Sequence, residues 1–219
     1  MVNVLSPAKI LIVDDHSMVR EGLRLRISAF PDLDVCGEAS TEDEAIELVK
    51  QTNPNLVIVD ISLKSGHGID LIKRIKSIAP HVKMLVSSGF QESLYAERAL
   101  RAGALGYLNK QDSGEKVIEA IRTVLSGERY ISAAITQRLV SQALGNRADS
   151  ANPIDLLTDR ELEVFRMIGN GKTSSAIAEE LFLSTHTIDT HRENIKRKLG
   201  VKNAAELSRC AVQFFLENS

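Results

Sequence analysis

The chain is predicted to be an α/β protein: a (βα)5 doubly wound parallel sheet followed by a second, all-α domain. Three observations carry this. Five short apolar runs lie in the first 130 residues, amphipathic segments of helical period separate them, and no strand-like run follows residue 154. The boundaries read as 1–130 for the α/β domain, 131–154 for a linker helix plus flexible linker, and 155–219 for the helical domain. Of the 219 residues 43% are hydrophobic and 26% charged, so both parts can bury a core. A net charge of −2 means that any nucleic-acid surface must be local rather than global.

The apolar runs are residues 9–13 (KILIV), 34–37 (DVCG), 56–59 (LVIV), 82–86 (VKMLV) and 105–108 (LGYL). All are too short for helices, and three are nearly all aliphatic, as strands covered on both faces must be. Between them, Val19, Leu23 and Ile27 recur at every fourth residue, and Ala45, Ile46, Leu48 and Val49 form a second apolar face. Leu71, Ile72, Ile75 and Ile78 make a third, and Val117, Ile118, Ile121, Val124 and Leu125 supply the last helix of the sheet domain. Residues 132–144 carry another helical pattern through Ile135, Leu139, Val140 and Leu144. Residues 145–153 then gather Gly, Asn, Asp, Ser and Pro without apolar period, which is linker chemistry.

Four helices are predicted beyond the linker. Thr158 ahead of Glu161 makes a capping box for a helix over 161–168, closed by Gly169-Asn170-Gly171. A short helix spans 173–181 with Ala176, Ile177, Ala178 and Leu181. Ser184 caps a longer one over 185–199, with Ile188, Ile195 and Leu199 inward and Gly200 as its stop. The last covers 203–216.

Several function classes drop out early. No apolar run approaches the roughly 20 residues of a membrane helix, and the first residues lack a basic stretch before an apolar core, so a cytoplasmic location is expected. Cys36 and Cys210 are far apart and outside any metal-ligand spacing, so free thiols are expected. His186 and His191 stand five apart, not the four that puts two ligands on one helix face; His191 reads as packing and capping, His186 as surface. The other histidines are scattered and form no metal cluster.

Functional groups of an open α/β sheet gather beyond the carboxyl ends of its strands. Asp14-Asp15 follow strand 1, Asp60 ends strand 3, Ser87-Ser88 end strand 4 and strand 5 runs into Lys110. Clustered carboxylates repel one another and offer hard oxygen ligands to Mg²⁺, which relieves the repulsion and neutralises an incoming phosphoryl group. Such a set suits acyl-phosphate formation, with Asp60 as carboxylate nucleophile, Lys110 pairing with the phosphate and Ser88 donating to it. A Mg²⁺-dependent phosphohydrolase is the enzyme-class alternative, but it needs a general acid close behind the nucleophile, and Ser62 holds the second position after Asp60.

This pattern resembles the response regulators of the NarL/FixJ family, whose receivers are flavodoxin-like, and the resemblance spans nearly the whole chain. The acidic pair, the acceptor, the hydroxyl and the lysine are spaced in that family as Asp14/Asp15, Asp60, Ser88 and Lys110 are here, and residues 101–110 (RAGALGYLNK) are similar to its approach to the lysine. The resemblance implies a phosphoacceptor and not an enzyme acting on a separate substrate. It implies that Asp15, Asp60 and the backbone carbonyl of Ser62 ligate Mg²⁺, with Asp14 helping through water. Ser87 rivals Ser88 as the switch hydroxyl; the spacing from Asp60 and Gly103 selects Ser88, and Gly89 leaves room for phosphate. Leu63-Lys64 stands where many relatives have Met-Pro, which adds a charge near the site. The resemblance also implies that phosphate draws Ser88 inward and that Tyr107 swings into the vacated space, reshaping the surface formed by strand 5, the helix before it (helix 4, between strands 4 and 5) and the helix after it (helix 5).

The helical domain resembles LuxR-type helix-turn-helix domains in residues 157–163, 177–181, 184–191 and 198–207. Residues 184–202 hold five Lys/Arg (Arg192, Lys196, Arg197, Lys198, Lys202) against the acids Asp189 and Glu193, and their functional reading is phosphate neutralisation. By the resemblance, Thr187, Asp189, Thr190, Arg192, Glu193 and Lys196 face DNA. Asp189 and Glu193 replace the basic or amide residues common in relatives, and Ser174-Ser175 replace Asn-Lys; the acids either accept from cytosine amino groups or weaken binding. If they weaken it altogether, the chain is an interaction module or phosphate sink. The expected partners are a sensor histidine kinase or small phosphodonor, double-stranded DNA, and a second copy when phosphorylated, with the last helix as the dimer contact.

Overall fold

The computed structural model describes residues 6–63, 66–143 and 153–217. Lys64, Leu144 and linker residues 145–152 lie outside the described residues. Contacts divide the chain into two compact units, Met1–Ala143 and Leu144–Ser219.

In the first unit five parallel strands alternate with helices: β1 (Ala8–Val13), α1 (Ser17–Ile27), β2 (Leu33–Ala39), α2 (Glu42–Thr52), β3 (Leu56–Val59), α3 (Gly68–Ile78), β4 (Lys83–Ser88), α4 (Glu92–Ala102), β5 (Gly106–Asn109), α5 (Gly114–Ser126) and α6 (Ala133–Ala143). The strand order is 2-1-3-4-5, the doubly wound order whose switch point lies between β1 and β3. The predicted double coverage holds where it matters. Every residue of β3 and the last four of β1 are buried, so these central strands have no polar face to offer solvent. On one side Ile10, Ile12, Ile58 and Leu85 pack with Leu23 and Ile27 of α1 and Val117, Ile121 and Val124 of α5. Ile78, expected in the inner face of α3, is instead exposed near the helix end.

The edge of β5 is partly covered. Tyr107 donates its backbone N–H to Tyr130 O (2.8 Å), Tyr130 donates back to Leu105 O (3.0 Å), and Gly106 bridges Tyr130 in parallel. Gly106 permits this approach, since a Cβ there would lie 3.0 Å from the Tyr130 carbonyl oxygen. α6 rests on α4: Ser132 N donates to Glu92 (2.9 Å) and Arg138 to the Ser93 carbonyl (3.1 Å). Of the predicted apolar face of α6, Ile135 is buried while Val140 faces out.

The second unit has a 3-10 turn (Pro153–Leu156), then α7 (Asp159–Gly169), α8 (Ser174–Glu180), α9 (Thr185–Leu199) and α10 (Ala204–Glu217). Its core centres on Phe165, whose ring lies 6.0 and 5.9 Å from those of Phe214 and Phe215. The predicted capping box is present: Glu161 N donates to Thr158 Oγ1 (3.3 Å) and Thr158 N to Glu161 Oε2 (2.7 Å). Gly200 ends α9 in the left-handed conformation, as read from the sequence. Among the described residues no helix is long and apolar enough to cross a membrane.

Candidate functional site

The carboxyl ends of β1, β3, β4 and β5 bring most of the sequence-predicted groups of the α/β domain to one edge. Lys110 Nζ lies 2.7 Å from Asp14 Oδ2 and 2.7 Å from Asp60 Oδ2, so one ammonium bridges carboxylates delivered by two strands. Asp14, Asp15, Asp60 and His16 each offer a ligand atom, all within 4.8 Å of one another. His16 corrects the expectation that no histidine joins a metal-ligand group. Its Nδ1 is 2.7 Å from Asp15 Oδ1 and 3.3 Å from Asp14 Oδ1, and its backbone N–H donates to Asp14 (2.9 Å). A turn at a strand end, not a helix period, sets this spacing; the signal available was simple adjacency to Asp14-Asp15. Three carboxylates and an imidazole form an acidic pocket compatible with a divalent cation.

Asp60 is 2% exposed. Burial, with Asp14 adding to it, pushes its carboxyl up to about 6, against the opposing pull of Lys110 and a hydrogen bond from the Ser62 backbone N–H. Burial works against the Lys110 charge too, but Asp60 and Asp14 more than offset it and hold the ammonium above its ordinary value.

The start of α3 is set against the end of β3 by a glycine that the sequence reading missed. Gly68 opens α3, donates to Ile61 O (2.9 Å), and would place a Cβ 2.0 Å from the Asp60 carbonyl oxygen and 2.7 Å from Ile61 Cα. Only a residue without Cβ lets α3 start this close to the acidic edge.

The two candidate hydroxyls separate by direction. Ser88 Oγ accepts from Phe90 N (3.1 Å), and the Tyr107 hydroxyl donates to the carbonyl of the same Phe90. Ser87 lines a shallow cavity with Met18, Leu23 and Val117, between α1 and α5. Tyr107 is already buried, with its hydroxyl donating to Phe90 O (2.9 Å), and burial raises its pKa. Tyr107 thus already stands in the inward position that the resemblance assigns to it after phosphorylation.

In the second unit α8 and α9 are joined by a tight turn whose Phe182 is in the left-handed region (φ 53°) and exposed. Ser184 caps α9, accepting from Thr187 N (3.0 Å) and bonding Thr187 Oγ1 (2.8 Å). Ile188 and Ile195 face inward; Asp189, Thr190 and Glu193 are exposed, and Thr187, Arg192 and Lys196 half-buried. Lys196 Nζ pairs with Glu193 at 2.7 Å. Lys198 corrects the reading of the basic residues as one phosphate-facing set: it turns inward to the buried Glu161 (2.5 Å), which holds that carboxyl below its ordinary value although burial works the other way. His191 is half-buried, and burial beside Arg160 lowers its pKa. His186 is exposed, as expected of a surface residue, and its carbonyl accepts from the Thr190 hydroxyl (3.0 Å).

Residues 10–122 match the family described as Response regulator receiver domain, and residues 155–211 match Bacterial regulatory proteins, luxR family. Oxygen regulatory protein NreC of Staphylococcus aureus is 34% identical over 210 residues, 94% of this chain and 97% of its own. Among solved structures, a LuxR-family two-component response regulator from Aurantimonas sp. SI85-9A1 is 34% identical (TM-score 0.58, 64% of this chain, 99% of that one). RcsB of Salmonella enterica serovar Typhimurium, bound to promoter rprA in the presence of phosphomimetic BeF3-, is 25% identical (TM-score 0.63, 93% of this chain, 97% of that one).

Proposed function

Because the chain belongs to the response-regulator family, a receiver domain joined to a LuxR-type helix-turn-helix that regulates transcription in a two-component system, we propose that Asp60 is its phosphoacceptor. One observation carries this reading: the Lys110 ammonium sits 2.7 Å from both Asp14 and Asp60 at the carboxyl edge of a parallel sheet. A carboxylate oxygen of Asp60 attacks phosphorus of a phosphohistidine on a sensor kinase, or of a small phosphodonor. The new O–P bond forms as the donor's bond to phosphorus breaks, and the displaced donor leaves with that electron pair. Asp14, Asp15 and Asp60, with the Ser62 carbonyl, would hold Mg²⁺, which would neutralise charge on the transferring group. Lys110 releases one carboxylate to meet the phosphoryl oxygens, and Ser88 donates to them. Ser88 accepts from Phe90 N and Tyr107 donates to Phe90 O, so movement of Ser88 is felt through Phe90 at β5 and, through the Phe90–Tyr95 ring contact, at α4.

The output is DNA binding by α8 and α9. Thr187, Asp189, Thr190, Arg192, Glu193 and Lys196 form its reading surface, and the RcsB–promoter complex supports the mode for a relative of this length. Phosphorylation favours a homodimer through α10, where Val212 and Leu216 leave an apolar strip exposed beside Ser208, Arg209 and Gln213.

Incubation with Mg²⁺ and acetyl phosphate, followed by mass spectrometry, tests the acceptor. Modification of Asp60 in the wild type and none in Asp60→Asn is expected; a phosphoryl group on another residue refutes it. A gel shift on promoter fragments across a salt series tests the output, since phosphate contacts weaken steeply with salt. No shift at low salt with phosphorylated protein returns the chain to the class of phosphate sinks.

A further inference from the structure

We infer that Glu193 gives this chain a base preference, for cytosine, that it reads by accepting from the exocyclic amino group in the major groove. The inference rests on the DNA-binding reading above. Ile188 and Ile195 define the buried line of α9, and at 3.6 residues per turn Glu193, with His186, Thr190 and Arg197, falls on the line opposite. Its side chain is 71% exposed, at the middle of the outward face. A carboxylate in that place has nothing to gain from the phosphates. Toward bases it is an acceptor only, and guanine (O6, N7) and thymine (O4) offer it further acceptors, whereas cytosine N4 offers a donor without an acceptor beside it.

The surrounding groups make the approach feasible. Lys196 at 2.7 Å compensates the Glu193 charge as it nears the polyanion, and Arg192 and Arg197 lie on the same helix. Thr190 cannot compete as a donor, because its hydroxyl is spent on the His186 carbonyl (3.0 Å). Asp189 is also exposed, and no cation lies within ion-pair distance of it among the described residues. Standing four residues earlier, it lies about 6 Å along the axis from Glu193, about two base steps away.

Selection from a random duplex library with the full chain, Mg²⁺ and acetyl phosphate tests this with wild type, Glu193→Gln and Asp189→Asn. The expected wild-type motif holds a cytosine in each half-site, preferred about tenfold or more over guanine. Glu193→Gln moves that position toward adenine, because an amide pairs bidentately with N6 and N7, while Asp189→Asn leaves it unchanged. An enriched motif that Glu193→Gln does not alter, or one with guanine at the position it alters, overturns the inference while leaving DNA binding intact. No enrichment with any protein overturns the DNA-binding reading and this one with it.

Discussion

Replacing Gly68 by alanine adds a single methyl group at the most crowded backbone approach near the acidic edge. Its Cβ would stand 2.0 Å from the Asp60 carbonyl oxygen and 2.7 Å from Ile61 Cα, both backbone atoms that cannot rotate away. The start of α3 must therefore move from the end of β3, straining the Gly68 N–H to Ile61 O hydrogen bond (2.9 Å). Overpacking costs about 1–3 kcal/mol and a lost hydrogen bond about 1 kcal/mol, so a loss of about 3 kcal/mol is expected. For a unit of this size that lowers Tm by about 10 °C. With Asp60 as the proposed phosphoacceptor, its displacement is expected to slow phosphoryl uptake by about 100-fold, the usual effect of misplacing a reacting group by about 1 Å. Gly22→Ala is the control: nothing lies within 4 Å of its added Cβ, and relief of a mid-helix glycine stabilises α1 by about 0.5–1 kcal/mol. Calorimetry and timed acetyl-phosphate labelling measure both variants. A Gly68→Ala protein within about 3 °C of wild type that labels at the wild-type rate would show that the closeness at α3 is not a constraint on the site.

Three further outcomes follow from the same contacts. Asp60 has its folded pKa raised from 3.8 to about 6, so in EDTA the fold loses stability as pH climbs through that window and stays flat above it. Asp60→Asn should then raise Tm at pH 8, by up to about 3 kcal/mol in stability, with the gain vanishing below pH 4; a gain independent of pH would deny that burial of this carboxylate is costly. Thr158→Ala removes the hydroxyl that accepts from Glu161 N, while its backbone N–H still donates to Glu161, and should cost about 1 kcal/mol, about 5 °C in the melting of the helical unit; a change below 2 °C would mean that this side-chain bond does not cap α7. Phe182 is held at φ 53° with its ring 69% exposed, so Phe182→Asn should stabilise by about 0.5–1 kcal/mol in urea unfolding, and a loss would reveal packing of that ring.

The site was legible in sequence where its chemistry is carried by residue type at a strand end. Asp14, Asp15, Asp60, Ser88 and Lys110 all follow apolar runs, and the sheet order converges their ends. Helix starts were equally legible, since Thr158 and Ser184 bond amides only three residues on. Contacts far apart in sequence were not. That Lys198 turns to Glu161, 37 residues away, cannot be told from a solvated lysine by pattern, because burial of a carboxylate depends on whether a cation meets it. The choice of Ser88 came from spacing; the side of the sheet on which each serine faces came from the strand register and its neighbours.

Local patterning by itself therefore determined the two-part architecture, the strands, the caps and the inventory of acids, hydroxyl and lysine, because each depends on neighbours within one or two turns of chain. Tertiary structure alone decided the distances: the ammonium shared by Asp14 and Asp60, the imidazole beside them, the glycine that lets α3 close on β3, and the Lys198 ammonium that meets the buried Glu161. Those depend on which segments meet in space, and on the dielectric each charge then finds there.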